Sequence, residues 1–191
     1  QEPAQDNEEK SMRMFAKWSR VFNADQVDGF NPDDNFVPAE IGSIESADAI
    51  IEGSGADIRH KEVKAFYCPS EDFINMPLAL RFKDTADSTA TENYYSTMFH
   101  ELTHWTGAKH RLDRFAIEKF SKSDYAFEEL VAELGAAMAC ASTGVTPLPR
   151  ADHAKYIECW LKALQDDKKF IFSAASQAQK AVDYLYSTVE A

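Results

Sequence analysis

The sequence predicts an α+β domain that is mainly helical and carries a small antiparallel or mixed sheet. Apolar residues recur at spacings of three and four over several long segments, which is the periodicity of amphipathic helices. In one shorter segment, apolar residues flank a turn-forming stretch on both sides, which indicates a β-hairpin. The chain has 191 residues, 45% of them hydrophobic, so its length and apolar content suit a single core.

The N-terminal segment differs from the rest of the chain in composition. Residues 1–10 are polar and rich in charge, so we expect a disordered leader or linker there and one domain over 11–191. Because the chain begins with Gln1 rather than Met, we also expect a processed or truncated product. Apolar spacing predicts a first helix near 14–22, and the sequence NPDDN predicts a turn at 31–35.

A short helix and the hairpin should follow. Ser46 precedes the sequence ADAIIEG, which predicts a helix that ends at Gly53. The hairpin should lie within 57–77, where the turn-forming residues at 69–72 separate two apolar runs.

The rest of the chain predicts four helices. Thr89 and Glu92 stand three residues apart in the relation of a capping box, and Gly107 is placed as a left-handed terminator, so a helix should run between them. Apolar stripes predict the other three helices, at about 123–140, 151–167 and 169–188. In the last of these the predicted buried stripe is Phe172, Ala175, Ala178, Val182 and Leu185.

The charge of the chain disfavours one class of function. Asp and Glu number 32 against 20 Lys and Arg, which gives a formal net charge of −12. A surface of this sign repels phosphate backbones and anionic membranes, so we expect no direct nucleic-acid binding and no membrane partner. An excess of acidic residues usually forms a solvated surface, but an acidic surface could also imitate nucleic acid toward a basic partner.

The cysteines and the hydropathy predict a cytoplasmic protein. The three cysteines are far apart and form no C-x-x-C pair, which indicates neither a disulfide framework nor a cysteine-rich zinc site. No apolar run approaches the roughly 20 residues that a membrane span needs, and no signal segment opens the chain.

The sequence His100-Glu101-Leu102-Thr103-His104 is an H-E-x-x-H motif inside the predicted capped helix. One helical turn separates the histidines, so both imidazoles lie on one face and can bind a zinc ion at about 2.0–2.1 Å. Glu101 follows the first histidine by one residue, which predicts a general base beside the metal rather than a ligand.

Hydrolytic zinc needs a third protein ligand, and two segments compete to supply it. His110 completes the metzincin pattern H-E-x-x-H-x-x-G-x-x-H, but metzincins also need a methionine-bearing turn. The candidate methionine, Met138, lies in a segment that looks helical.

Glu129 is the competing third ligand, and its neighbour Glu128 is a further alternative. On a helix, Glu129 and Glu133 share a face with small residues that would let the motif helix approach closely, namely Ala132, Ala136, Ala137 and Cys140. Carboxylates on such a face need a partner, which a metal supplies. Glu133 could then accept the second ring N–H of a ligating histidine.

Four segments resemble a known family. They are YYSTMFHELTHWTGAKHRLDR at 94–114, YAFEELVAELGAAMAC at 125–140, AFYCPSEDFINMP at 65–77 and VFNADQV at 21–27. Together they resemble the metallopeptidase domain of ArdC-type antirestriction proteins, which also occurs in plasmid primases and in polyvalent phage or conjugative proteins. The resemblance covers nearly everything after the leader, and it includes the RLDR sequence at 111–114.

The resemblance implies a zincin-like fold and a metal held by two histidines and a glutamate. Carried onto this chain, the ligands are His100, His104 and Glu129, so Glu129 is favoured over His110. In that family an N-terminal single-stranded-DNA-binding domain usually precedes the peptidase domain, and these residues contain no such domain.

These observations predict a zinc metallopeptidase that hydrolyses a protein or peptide substrate, with Glu101 as its general base. Two hypotheses compete with it. One is an acidic binding module that blocks a nucleic-acid enzyme without hydrolysis. The other is a structural domain that docks a larger conjugation protein through the helices of 151–188.

Overall fold

The structure is a computed structural model that describes residues 40–115, 122–145, 160 and 169–189. These residues belong to one compact unit. The leader at 1–10, the domain start at 11, the helix near 14–22 and the turn at 31–35 lie outside the described residues. So does the helix predicted over 151–167, except for Trp160, which is helical.

Four helices and one small sheet form the described fold, which confirms the predicted α+β class. In chain order these elements are α1 (Glu45–Ser54), β1 (Asp57–Arg59), β2 (Phe66–Cys68), β3 (Phe73–Asn75), a short 3-10 turn (Ala79–Arg81), α2 (Ala90–Thr106), α3 (Lys122–Thr143) and α4 (Lys169–Ser187).

The sheet is mixed and has the strand order β1-β3-β2. Strands β2 and β3 are antiparallel neighbours, which confirms the predicted hairpin, and β1 adds to the other side of β3 in parallel. Asp72 in the hairpin turn has a φ of 55°, a conformation that aspartate tolerates better than most residues. Asn75 at the end of β3 is buried and bonds backbone groups of residues 61, 62 and 64, which holds the loop between β1 and β2.

Helix α1 differs from its prediction at both ends. Ser46 does not cap it, because the helix already begins at Glu45 with Ile44 at the N-cap position. The Ser46 hydroxyl instead donates to the carbonyl of Thr143 at 2.8 Å. The helix passes through Gly53 and ends before Gly55, whose φ of 65° is the left-handed conformation of a helix terminator.

Helix α2 carries the motif and begins as predicted. Thr89 Oγ1 accepts from Glu92 N at 3.2 Å, and Thr89 N donates to Glu92 Oε2 at 2.7 Å, so the capping box is confirmed. The prediction for Gly107 was wrong, because its φ of −75° is right-handed. A Cβ at Gly107 would lie 2.7 Å from the Phe115 ring, so this glycine makes room for the loop that folds back over the helix end.

Helix α3 crosses α2 closely at a glycine. A Cβ at Gly135 would lie 2.6 Å from both Oγ1 and Cγ2 of Thr103, which is fully buried. The neighbouring small residues Ala132, Ala136, Ala139 and Cys140 are also buried. Ala137 is exposed, so its predicted place on this face was wrong.

The hydrophobic core surrounds the inner face of α2. Its largest buried side chains come from α2 and the sheet, together with α1 and α4, and include Phe99, Leu102, Ile50, Ile74 and Leu185. On α4 the buried face is Ala174, Ala178, Ala181, Val182 and Leu185. Phe172, predicted to be part of it, is 74% exposed, because the small residues rather than the aromatic one face α3.

Within the described ranges, no helix is both long enough and apolar enough to cross a bilayer.

Gly135→Ala should destabilise the domain by about 1–3 kcal/mol, because the new methyl group would overlap the buried Thr103 side chain. Alanine is otherwise the better helix former by about 1 kcal/mol, so a loss of stability reports the crossing itself. Denaturant unfolding measures the effect. The double variant Gly135→Ala/Thr103→Ala removes the overlap and should recover part of the loss; simple additivity of the two changes would contradict the contact.

Candidate metal centre

The motif side chains meet a carboxylate of α3 at the crossing of α2 and α3. His100 and His104 lie one turn apart on α2, and their rings make an edge-on contact with centroids 4.8 Å apart. Glu129 comes from the facing side of α3 and is buried, as is His100. The crossing therefore joins residues from two segments that are distant in sequence.

The three side chains converge through particular atoms. The Nε2 atoms of His100 and His104 are 3.2 Å apart, and each lies 3.8 Å from an oxygen of Glu129. Candidate ligand atoms of the three residues all fall within 4.8 Å of one another. A tetrahedral zinc ion bound at about 2.0–2.1 Å separates its ligand atoms by roughly 3.3 Å, so the spacing fits a single cation.

Carboxylates face the other nitrogen of each ring. His104 Nδ1 lies 3.2 Å from Glu128 Oε1 and donates to it, since an ionised carboxylate can only accept. His100 Nδ1 lies 3.0 Å from Glu133 Oε1, but its N–H does not point closely enough at that oxygen to count as a hydrogen bond.

This arrangement places three electron-rich atoms together. With the proton of each imidazole on Nδ1, both Nε2 atoms present lone pairs to each other and to the Glu129 carboxylate. Buried lone pairs and a buried charge without a positive partner are costly. Two imidazoles and a carboxylate are also a set of protein ligands found at catalytic zinc sites. The residues present therefore fit a divalent cation.

The pKa values of His104 and Glu128 reflect the acidity of this region. Burial alone lowers the pKa of His104, but the hydrogen bond to Glu128 and the charges of Glu101, Glu128 and Glu129 raise it above its usual value. Burial raises the pKa of Glu128, and the hydrogen bonds from His104 and Arg114 lower it by more. The raised pKa of His104 thus reflects the negative charges of the three glutamates, and the same charges favour a cation beside the rings.

Glu101 is buried beside this group. Its carboxylate is close enough for its charge to raise the pKa of His104. The structure thus holds this carboxylate near the converging nitrogens without placing it in the ligand group itself.

The alternative third ligands lie elsewhere. His110 is 64% exposed, contacts Asp72 at 3.2 Å and Arg111 at 2.6 Å, and is not part of the converging group. Met138 is inside α3 rather than in a turn, so the structure gives the metzincin interpretation no support. Glu128 is adjacent to Glu129 but faces Nδ1 of His104 instead of the Nε2 atoms.

Two arginines of the RLDR sequence bond the end of α2. The sequence alone did not predict these contacts. Arg111 Nε donates to the carbonyl of Trp105 at 2.6 Å, and its guanidinium lies 3.8 Å from the centre of the Trp105 ring. Arg114 donates to the carbonyl of Thr103 at 2.5 Å. Basic residues just after a helix commonly bond its last carbonyls, and this position was the signal that could have identified them.

The chain matches one protein family over most of its length. The family model MPTase-PolyVal, described as a zincin-like metallopeptidase, matches residues 45–177. Protein y4eC of Sinorhizobium fredii, which is uncharacterised, is 41% identical over 183 residues, covering 96% of this chain and 58% of y4eC. A DNA primase TraC of Escherichia coli is 40% identical over 174 residues, covering 91% of this chain and 16% of TraC.

Two crystal structures of the antirestriction protein ArdC from the R388 plasmid share the fold. The metal-free structure has a TM-score of 0.66 and the Mn(II)-bound structure 0.67, both at 44% sequence identity over 88% of this chain. The alignments cover 59% and 60% of the ArdC chains. This chain therefore spans less than two thirds of the relatives that it matches.

Replacing a candidate ligand should abolish tight metal binding. His100→Ala, His104→Ala and Glu129→Gln each remove one of the converging atoms, and we expect a loss of zinc affinity larger than the roughly tenfold to 100-fold that follows removal of an outer hydrogen-bond partner. Metal analysis and chelator competition measure it. His110→Ala is the matched control and should bind zinc like the parent. Loss of zinc in that variant alone would show that His110 is the third ligand.

Glu128→Gln should destabilise the metal-free protein by roughly 3–5 kcal/mol near neutral pH, because it leaves Arg114 buried without its charge partner. The folded-state pKa of Glu128 lies below its ordinary 4.5, so its stabilisation is present above that pH and disappears as the pH falls through the folded value.

The difference between parent and variant should therefore shrink in acid. Denaturant unfolding from about pH 7 to about pH 3, in the presence of chelator, measures it. Exposed Glu62→Gln is the control and should differ little from the parent throughout. A Glu128→Gln difference that stays constant with pH would show that the Glu128 charge is not what stabilises the fold.

Proposed function

Because this chain belongs to the zincin-like metallopeptidase family, we propose that it is a metal-dependent peptidase domain. His100, His104 and Glu129 hold the metal, and Glu101 is the general base. The observation that carries this proposal is the convergence of two imidazole nitrogens and a carboxylate within 4.8 Å at a buried helix crossing. A divalent cation would balance the lone pairs and the carboxylate charge at that spacing.

We propose zinc as the metal. Two histidines and a glutamate are a common ligand set for catalytic zinc and leave a position open for water or substrate. The related ArdC protein has a crystal structure with Mn(II), so a domain of this fold can also take another divalent ion. The relative affinities of the purified chain for zinc and manganese test this choice.

A divalent metal held here would supply Lewis acidity, which acidifies water and polarises the carbonyl of a peptide bond. The protein's own groups handle the protons. Glu101 accepts the proton of the attacking water and then delivers it to the departing amine nitrogen. Its place one residue after His100 keeps its carboxylate beside the reacting atoms, while burial limits competing solvent around it.

The two outer carboxylates would keep the rings oriented. Glu128 accepts from Nδ1 of His104, and Glu133 lies within bonding distance of Nδ1 of His100. Such partners fix the tautomer that leaves Nε2 free to bind. Each ligand histidine thus has its own carboxylate on α3.

We propose a protein or peptide as the substrate and DNA transfer or antirestriction as the biological setting. The setting rests on the names of the relatives, an antirestriction protein and a DNA primase. The net charge of −12 makes direct nucleic-acid binding by this domain unfavourable. Contact with DNA would then belong to another part of a longer protein, such as a preceding single-stranded-DNA-binding domain.

The same charge favours a second candidate function, in which the acidic surface occupies the nucleic-acid site of an enzyme. Inhibition by that route needs no hydrolysis. It would weaken steeply with salt and would be unaffected by loss of Glu101.

Glu101→Gln should keep zinc and lose peptidase turnover by about 10²–10⁴-fold, because the amide cannot accept a proton. A mixture of unfolded polypeptides serves as substrate, with cleavage products identified by mass spectrometry and zinc measured in parallel. Glu62→Gln, an exposed glutamate remote from the motif, is the control. Parental turnover in Glu101→Gln would show that Glu101 is not the general base. A zinc-loaded parent that cleaves no polypeptide would show that the metal site does not act as a peptidase.

A further inference from the structure

One buried side chain, Arg114, connects the two helices that carry the candidate ligands. Its Nε donates to Glu128 Oε2 at 3.1 Å and its NH2 to Glu128 Oε1 at 2.9 Å, on α3. The same guanidinium donates to Thr103 O at 2.5 Å and to Thr106 Oγ1 at 2.8 Å, in the last turn of α2. His104 lies between those two threonines in sequence.

We propose that Arg114 is a positioning residue: its hydrogen bonds to Glu128 keep that carboxylate bonded to His104, so that Glu129 is the carboxylate ligand. The inference rests on the proposed function, since it concerns the same metal. It assigns a role to the RLDR sequence that goes beyond ending the helix. It also explains how one of two neighbouring glutamates becomes a ligand.

The choice between Glu128 and Glu129 requires an explanation, because both are buried at the same crossing. Both oxygens of Glu128 already accept charge-assisted hydrogen bonds, from Arg114 and from His104. Glu128 would lose these bonds if it turned to a metal. The Glu129 oxygens lie 3.8 Å from the two Nε2 atoms, so Glu129 reaches the same cation without that loss.

The shape of the arginine side chain matters as much as its charge. Its planar guanidinium spreads its donors in a fork that serves the two oxygens of Glu128 and the end of α2 at once. Only 6% of the side chain is exposed, so these bonds are little weakened by water. A lysine carries the charge but has one nitrogen, and it cannot reach all four acceptors together.

The backbone of the loop holds Arg114 in place. Gly107 O accepts from Arg114 N at 2.9 Å and from Phe115 N at 3.2 Å, so the chain after α2 turns back toward the helix. A Cβ at Gly107 would overlap the Phe115 ring at 2.7 Å and would lie in tight contact with Arg114 NH2 at 3.0 Å. The backbone hydrogen bonds of this loop therefore hold the Arg114 side chain against the end of α2.

The main test compares Arg114→Lys with Arg111→Lys. Arg111 is the matched control: its side chain is also buried and also bonds a carbonyl of α2, but its carboxylate partner is Asp72 of the hairpin turn. We expect Arg114→Lys to weaken zinc binding by about 10–100-fold and to change the visible spectrum of bound Co²⁺. Arg111→Lys should change neither, even where it lowers thermal stability.

The double variant Arg114→Lys/Glu128→Gln should shift the Co²⁺ spectrum back toward that of the parent, because the glutamine is a poor ligand and still accepts from His104. Parental zinc affinity and Co²⁺ spectrum in folded Arg114→Lys would overturn the inference. Equal weakening by both lysine variants with an unchanged spectrum would also overturn it, since Arg114 would then act only on stability.

Glu128→Gln and Glu129→Gln give a test that does not depend on the folding of Arg114→Lys. Glu129→Gln should alter the Co²⁺ spectrum more strongly than Glu128→Gln does, because only Glu129 is a ligand in this proposal. A stronger change in Glu128→Gln would make Glu128 the ligand and contradict the role of Arg114. A parent that binds neither Zn²⁺ nor Co²⁺ would instead reject the proposed function, so the two failures are distinguishable.

Discussion

The close crossing of α2 and α3 is the constraint on which the rest of this structure depends. Gly135 lets the backbone of α3 approach Thr103, and Thr103 immediately precedes the second histidine of the motif. At a larger separation Glu129 would not reach the two Nε2 atoms, and Glu128 would not reach Nδ1 of His104. The lack of a side chain at Gly135 therefore sets the separation of α2 and α3, and with it the distances between the histidines and the glutamates.

The helix crossing places several negatively charged side chains in a region that is buried from solvent. Glu101, Glu128 and Glu129 are all buried, and among the described residues the guanidinium that pairs with this group is that of Arg114. Buried carboxylates without partners are unfavourable by several kcal/mol each. Arg114 balances Glu128, and the histidines with a bound cation would balance the others. The fold and the proposed metal are in this sense parts of one electrostatic arrangement, as is common for metal-binding domains.

The chain corresponds to only part of each of the longer proteins that it matches. The matched segment makes up 58% of y4eC but 16% of a TraC primase. A domain with its own core and its candidate ligands on two adjacent helices can be combined with different partners without rebuilding the site.

What the sequence determined by itself was local. The capping box of Thr89 and Glu92, the hairpin turn at 69–72 and the one-turn spacing of His100 and His104 all follow from interactions between residues close in the chain. The tertiary structure decided what depends on packing between distant segments. It placed Glu129 rather than His110 beside the histidines, turned Ala137 and Phe172 outward, and gave Gly107 a steric rather than a conformational role. The rotation of α3 about its axis follows from the contact of Gly135 with Thr103, and periodicity within one helix does not contain that information.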